Sequence, residues 1–253
     1  MNNTPPLNLT CLSMPIKSLF TGFILVVGLG LMMAGAQILF SHGMADGKPG
    51  LSIDDIVYSY HGNRTGSTLE AKLHGSMKDM APNEQKRVLI KWARDGAPQE
   101  QWAPTIQPIT QQYCVACHST MPGLADFNKL SEMQRIAEVD TGKALSTLTR
   151  LSHIHLFGIA FIFFFVGLIF SLSVGSKPWV KGLIIFIPFA FLIIDIAAWW
   201  LTKVSPSFAW FVMIGGIGYS VAAAIMLFTS LYQMWIMPWR GQVSDQNTWF
   251  SEE

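Results

Sequence analysis

Four long apolar runs punctuate the chain: Ser18–Phe40, Ile154–Val174, Leu183–Leu201, and Phe208 to about Met234. Each is long enough to cross the hydrocarbon core of a bilayer as a helix, which takes about 20 residues. Between the first and second runs, over residues 41–150, apolar positions recur at helical spacing among charged ones, and no stretch alternates as a strand would. Within that segment Ser52, ahead of Asp54 and Asp55, opens a short helix that Gly62 stops. Ser67 to Met80 reads as a second helix. Pro82 and Asn83 open a third, with Val88, Leu89 and Trp92 on one face and Gly96 at its end. Trp102, Ile106, Ile109 and Tyr113 carry the pattern on to His118, Met121-Pro122-Gly123 breaks it, and a polar helix follows from Lys129 to Val139. The expected fold is all-α, with four transmembrane helices and a mostly helical extracytoplasmic domain between the first and second.

Charge changes the picture by giving the spans a direction. Lys17, Lys177, Lys181 and Arg240 flank one side, and only Lys203 sits in the short loop on the other. The excess of basic residues on cytoplasmic loops places both termini and the 175–182 loop inside. The expected organisation is residues 1–17 as a cytoplasmic N-terminus, 18–40 as the first span, 41–150 outside, 151–237 as a three-helix membrane bundle, and 238–253 as a cytoplasmic tail. The first run is too long for a signal-peptide core and lacks a small-residue cleavage site, so it reads as a retained anchor. Trp199, Trp200 and Trp210 are expected at the outer membrane interface, and Trp179, Trp235 and Trp239 at the inner one. The chain is 51% hydrophobic, 13% charged and carries a net charge of +1, which excludes a nucleic-acid partner and fits a protein whose main solvent is lipid.

The chemistry concentrates in Cys114-Val115-Ala116-Cys117-His118, a C-x-x-C-H sequence of the kind that attaches a c-type haem. Two thiols one helical turn apart can add to the two haem vinyl groups, and the adjoining imidazole can reach the iron. A disulfide is the competing reading, and it would leave Cys11, the third cysteine, unpaired. A structural zinc site would need a second pair of ligands, which His42, His61, His74, His153 and His155 do not form beside the motif. A thioredoxin-like redox site would need a βαβ setting that is absent here.

Taken together, Trp92-Ala-Arg-Asp-Gly-Ala97, Ile106-Gln-Pro-Ile109 and Cys114-Val-Ala-Cys-His118 resemble the haem-bearing helix of small bacterial c-type cytochromes, in many of which an Ile-x-Pro-Ile segment leads into the C-x-x-C-H. The chain looks like a membrane-anchored c-type cytochrome over about thirty residues. That resemblance implies one covalent haem c on Cys114 and Cys117, with His118 as proximal iron ligand, in a cytochrome c-like domain at 41–150. Haem c is attached on the periplasmic side in bacteria, which agrees with the charge-based orientation and implies the bacterial inner membrane. The pattern departs in one respect. Class I cytochromes usually supply a distal methionine well downstream, whereas here the second span begins about 35 residues after His118. Upstream helices or the membrane helices must complete the pocket.

For the distal ligand the expectation is divided. Met77 or Met80, three apart on one helical face, come first, and His153 or His155 at the outer mouth of the second span come second. Met121 is tethered near the proximal side, and Met133 is the nearest downstream alternative. Two residues apart on a helix point roughly 200° away from each other, so His153 and His155 cannot both face one iron. Asp195 in the third span is the other costly residue, and a hydrogen bond to His155 would satisfy both groups, with a quinone contact or proton relay as the functional alternative. Gly215, Gly216 and Gly218, with Ala222 to Ala224, suit close helix packing, within this bundle or against a partner subunit.

These features favour an electron-transfer subunit of a larger redox or respiratory complex, not catalytic alone, with other membrane redox subunits or a periplasmic electron carrier as partners. A haem-based sensor or gas-binding protein is the alternative, as is a structural or assembly subunit with a non-transferring haem. The sequence shows no signalling domain, nucleotide fold or nucleophile constellation.

Overall fold

The computed structural model describes residues 6–43, 50–64, 66–121 and 124–249. The Pro122-Gly123 break expected from the sequence, and the extreme ends of the two terminal segments, lie outside them. The protein is all-helical with four membrane-spanning helices, and among the described residues no strand forms beyond one isolated antiparallel bridge, Ser67 to Val139. Contacts divide the chain into two compact units. One comprises residues 1–37, 146–199 and 210–253, and the other residues 38–145 and 200–209.

The first unit is the membrane bundle. It is built from α1 (Met14–His42), α8 (Leu145–Ser171), α9 (Pro178–Val204) and α10 (Ala209–Leu231). α10 continues through a widened turn, Tyr232–Ile236, where Pro238 supplies no N–H to the regular ladder. α1 and α9 outrun their apolar stretches at both ends and α8 at its start, because polar residues at a helix end can stand in the headgroup layer. In particular α8 starts at Leu145, so His153 and His155 lie within the helix, more than two turns past its start. Ile24 and Val27 of α1, Val166, Ile169 and Phe170 of α8, and Met226 and Leu227 of α10 form one buried cluster. Hydrocarbon tails are as apolar as these side chains, so the association depends on close packing and interhelical hydrogen bonds. Gln233 supplies such bonds: its amide accepts from Val174 N–H at 2.7 Å and donates to Val174 O at 3.0 Å, both buried. At the same end, Asn8 is fully buried and its side-chain amide donates to the carbonyls of Ser244 and Gln246, tying the two terminal segments together.

The second unit holds the short helices α2 (Ile53–Tyr60), α3 (Thr68–His74), α4 (Asn83–Arg94), α5 (Gln107–Tyr113), α6 (Val115–His118) and α7 (Leu130–Ala137). Ser52 caps α2 as its sequence suggests, in a reciprocal box with Asp55. Ser67 caps α3, but α3 ends at His74, short of Met80, because Gly75 leaves the helical region. Met77 and Met80 therefore sit on turns and share no helical face. α5 is preceded by a widened turn, Trp102–Ile106, where Pro104 and Pro108 withhold their N–H groups. The core gathers Leu89 and Trp92 of α4, Ile106, Ile109 and Met133, all nearly or fully buried. Trp92 Nε1 donates to Pro98 O at 3.0 Å, and the guanidinium of Arg94 grips the carboxylate of the buried Glu70 with two hydrogen bonds.

Candidate functional site

α5 and α6 are separated by a single non-helical residue, Cys114 (φ −124°, ψ −40°). Its carbonyl accepts from the N–H groups of Cys117 at 3.2 Å and His118 at 3.1 Å, so one turn gathers both thiols and the imidazole. Cys114 packs against the core and is half-buried, and burial pushes its thiol up from the ordinary cysteine value. Cys117 is exposed. One sulfur is rooted in the core and the other is open to solvent.

Three residues that sequence reasoning did not single out hold this turn. His118 Nδ1 lies 3.2 Å from the carbonyl oxygen of Ala125, which can only accept, so Nδ1 carries the proton. The imidazole stacks on Phe127, with ring centroids 3.8 Å apart and planes at 21°. Fully buried Thr110 of α5 donates from Oγ1 to Gln107 O at 3.0 Å and approaches Phe127 O at 3.4 Å. The return segment is set by Asp126, which accepts from Asn128 N–H at 3.0 Å and pairs with Lys129 at 3.3 Å. That backbone N–H, with Lys129, holds the Asp126 carboxyl below the usual carboxylate range. The one sequence signal for this support was Phe127, a lone large apolar residue in the polar stretch Ala125–Lys129.

This arrangement fixes the tautomer of His118. With the proton on Nδ1 and committed to a carbonyl, Nε2 keeps its lone pair, the same device by which proteins orient histidine ligands. Among the described residues no three His, Cys, Asp or Glu side chains converge to hold a bare metal ion.

The other candidate residues fall into two groups. Met77 packs on the same core as Cys114, Val115 and Tyr113. Met80 and Met121 are exposed, and Met133 is enclosed in the core. His153 and His155 belong to the membrane unit. His153 packs its ring on Phe157 at 5.0 Å, and His155 Nδ1 donates to Leu151 O at 2.8 Å. The direct His155–Asp195 hydrogen bond expected from the sequence does not form. Trp199 stands between them: its Nε1 donates to Asp195 Oδ1 at 2.9 Å, and its ring meets His155 edge-on at 5.1 Å. Trp199 is accordingly buried inside the bundle, whereas Trp210, Trp179 and Trp239 are well exposed.

Residues 109–241 match the model of a family described as a transmembrane helical domain, Aq_1264_TM. The match covers more than half of the 253-residue chain and takes in the cysteine–histidine turn together with the last three spans. No curated protein and no solved structure matches the chain.

Proposed function

We propose that this chain, which belongs to the Aq_1264_TM family of transmembrane helical domains, is a membrane-bound monohaem c-type cytochrome serving as an electron-transfer subunit of a larger redox or respiratory complex. The observation that carries the reading is the 3.2 Å approach of His118 Nδ1 to the Ala125 carbonyl. The Nδ1–H is committed to Ala125 O, and Nε2 is left as a ligand beside two thiols one turn away. The donor set fits a porphyrin iron held covalently at its edge. Haem bound there supplies a one-electron couple at iron.

The chain's own residues do the rest. Cys114 and Cys117 would hold the group as thioethers, and His118 Nε2 would ligate the iron. Ala125 and Phe127 keep the imidazole from rotating, which would hold it as a ligand in one orientation. Met77, which packs on the same core as Cys114 without being enclosed by it, would supply a second ligand. The partners are other membrane redox subunits or a periplasmic electron carrier. The setting is the bacterial inner membrane with residues 41–150 in the periplasm, as the positions of Lys17, Lys177, Lys181 and Arg240 support.

The test is haem staining of the full-length polypeptide after denaturation and acid–acetone extraction. Retained stain, lost when both Cys114 and Cys117 are changed to Ser, is the expected result. A polypeptide that never retains haem overturns the reading. With haem in place, Met77→Ala should abolish the methionine–iron band in the near infrared. The haem should also be reduced when the substrate of a co-purifying redox subunit is added. Rapid binding of carbon monoxide by the ferrous native protein would instead indicate an open iron position and a gas-binding role. Protease added to spheroplasts should cut near Lys78 and spare a C-terminal tag.

A further inference from the structure

A cleft of about 490 Å³ opens in the second unit, away from the cysteine–histidine turn, between His42, the end of α2, α3 and the 140–143 loop. Its size lies within the range of small-ligand sites, about 300–1,000 Å³. Its charges are what set it apart. Two of its lining residues are carboxylates: Glu70 is neutralised by Arg94, with His74 Nε2 3.9 Å away, and Asp140 accepts from the backbone N–H groups of Gly142 at 2.8 Å and Asn63 at 3.4 Å. The lining lysines have no such arginine opposite them. Lys143 is half-buried, and its ammonium lies over the Tyr60 ring at 5.6 Å, with no carboxylate in salt-bridge reach among the described residues. Among the described residues Lys72 likewise has no salt-bridge partner, and both raise the local potential at His42. Burial pulls Lys143 below the ordinary lysine value, the mark of an ammonium short of compensation. His42 Nδ1 is 2.7 Å from Ser59 Oγ, so its other ring nitrogen remains for a ligand, and His74 adds a second imidazole to the wall.

The cleft is also placed at a definite depth in the chain. His42 follows the last residue of the first span, Phe40, by two positions. Lys203, in the last turn of α9, donates from Nζ to Thr141 O at 2.8 Å and Lys143 O at 2.7 Å. His42 and Lys203 belong to the same unit as the cleft and each follows an apolar run directly in the chain, where a sequence leaves the hydrocarbon core and meets lipid phosphates.

We propose that this cleft binds a phosphate-bearing anion at the membrane surface, with Lys72 and Lys143 supplying charge and His42 and His74 supplying hydrogen bonds. A phosphodiester lipid headgroup and free inorganic phosphate present the same chemistry, and their source is separable by experiment. The site uses no residue of the Cys114–His118 turn, so it stands or falls independently of the haem reading.

The test uses the full chain, delipidated in a neutral detergent, with thermal unfolding as the readout. Sodium phosphate is titrated against sodium chloride of equal ionic strength, and dioctanoyl phosphatidylglycerol against dioctanoylglycerol, which lacks the phosphate. A saturable rise in midpoint with a phosphate-bearing probe, absent with its control, is expected. Saturation by the lipid at lower concentration assigns the site to a headgroup, and the reverse order assigns it to free phosphate. Lys72→Gln, at an exposed position that leaves the core intact, should weaken the response about tenfold, the loss of one charge-assisted contact. Lys143→Gln should weaken it further, and if that variant fails to fold, Lys72→Gln and His74→Gln together carry the test. No saturable shift with either probe, or an unchanged response in the Lys72→Gln variant, overturns the proposal.

Discussion

Gly215 of α10 rests on the backbone of Asp195 in α9: a Cβ at position 215 would stand 2.7 Å from the Asp195 Cβ and 2.9 Å from its Cα. The buried carboxyl and its Trp199 partner are thus held at a close approach of two helices. Gly218 instead abuts the side-chain ring of Phe191, 2.6 Å from where a Cβ would stand, while a Cβ on Gly216 would meet only the Tyr219 hydroxyl at 3.8 Å. Gly215 and Gly218 are consumed by packing within the bundle and are not free to dock a partner, as the sequence alone had allowed. Gly215→Ala should therefore destabilise the bundle by about 1–3 kcal/mol, the usual cost of overpacking. Gly216→Ala should be close to neutral. Unfolding in mixed detergent micelles measures both, and equal effects would contradict the packing described.

Gln233 serves Val174 at both its N–H and its carbonyl. Gln233→Met keeps the length of the side chain and removes both bonds. The loss should cost about 1–3 kcal/mol for each group left buried without a partner. The same unfolding assay reads it, and a change well under 1 kcal/mol would mean that another donor or water takes over.

Phe127 is buried and stacks on His118. Phe127→Ala should destabilise the second unit by about 3–5 kcal/mol, as large-to-small core changes do. Phe127→Leu should retain most of the stability while freeing the imidazole, so the histidine ring resonances of the leucine variant should broaden or split. Unchanged resonances would assign the orientation of His118 to Ala125 alone.

Burial, then Lys143, pull the pKa of His42 below its usual 6.5; Asp55 opposes this and Lys72 reinforces it. The folded protein keeps the ring neutral where the unfolded chain already binds a proton. Stability from this residue is complete above about pH 6.5 and is lost as pH falls from there toward the folded pKa. The thermal midpoint of the native protein should drop over that interval, and that of His42→Gln should drop less. Parallel profiles for the two proteins would refute the assignment.

Much of the fold was legible along the chain because its signals are local. A run of about 20 apolar residues can only be satisfied by crossing the membrane as a helix. Ser52 and Ser67 cap helices, and Gly62 and Gly96 take positive φ at the turns, through sterics and hydrogen bonds that span a few residues. The Cys114–His118 turn belongs to the same class. Helix ends were read less well, since Gly75 stopped α3 early and the spans ran past their apolar cores.

The sequence by itself determined the number of spans, the helical class and the grouping of two thiols with an imidazole. Only the tertiary structure decided which groups those residues face. It gave His118 the carbonyl of Ala125 and the ring of Phe127, set Trp199 between His155 and Asp195, and turned Gly215 but not Gly216 onto a neighbouring helix. It also drew His42, Lys72 and Lys143 into one cleft from three separate segments. The physical reason is that such choices depend on how distant segments close and on which side chain fills the space between them. A histidine, tryptophan or glycine is chemically the same residue whichever partner it meets, so its sequence position does not encode the outcome.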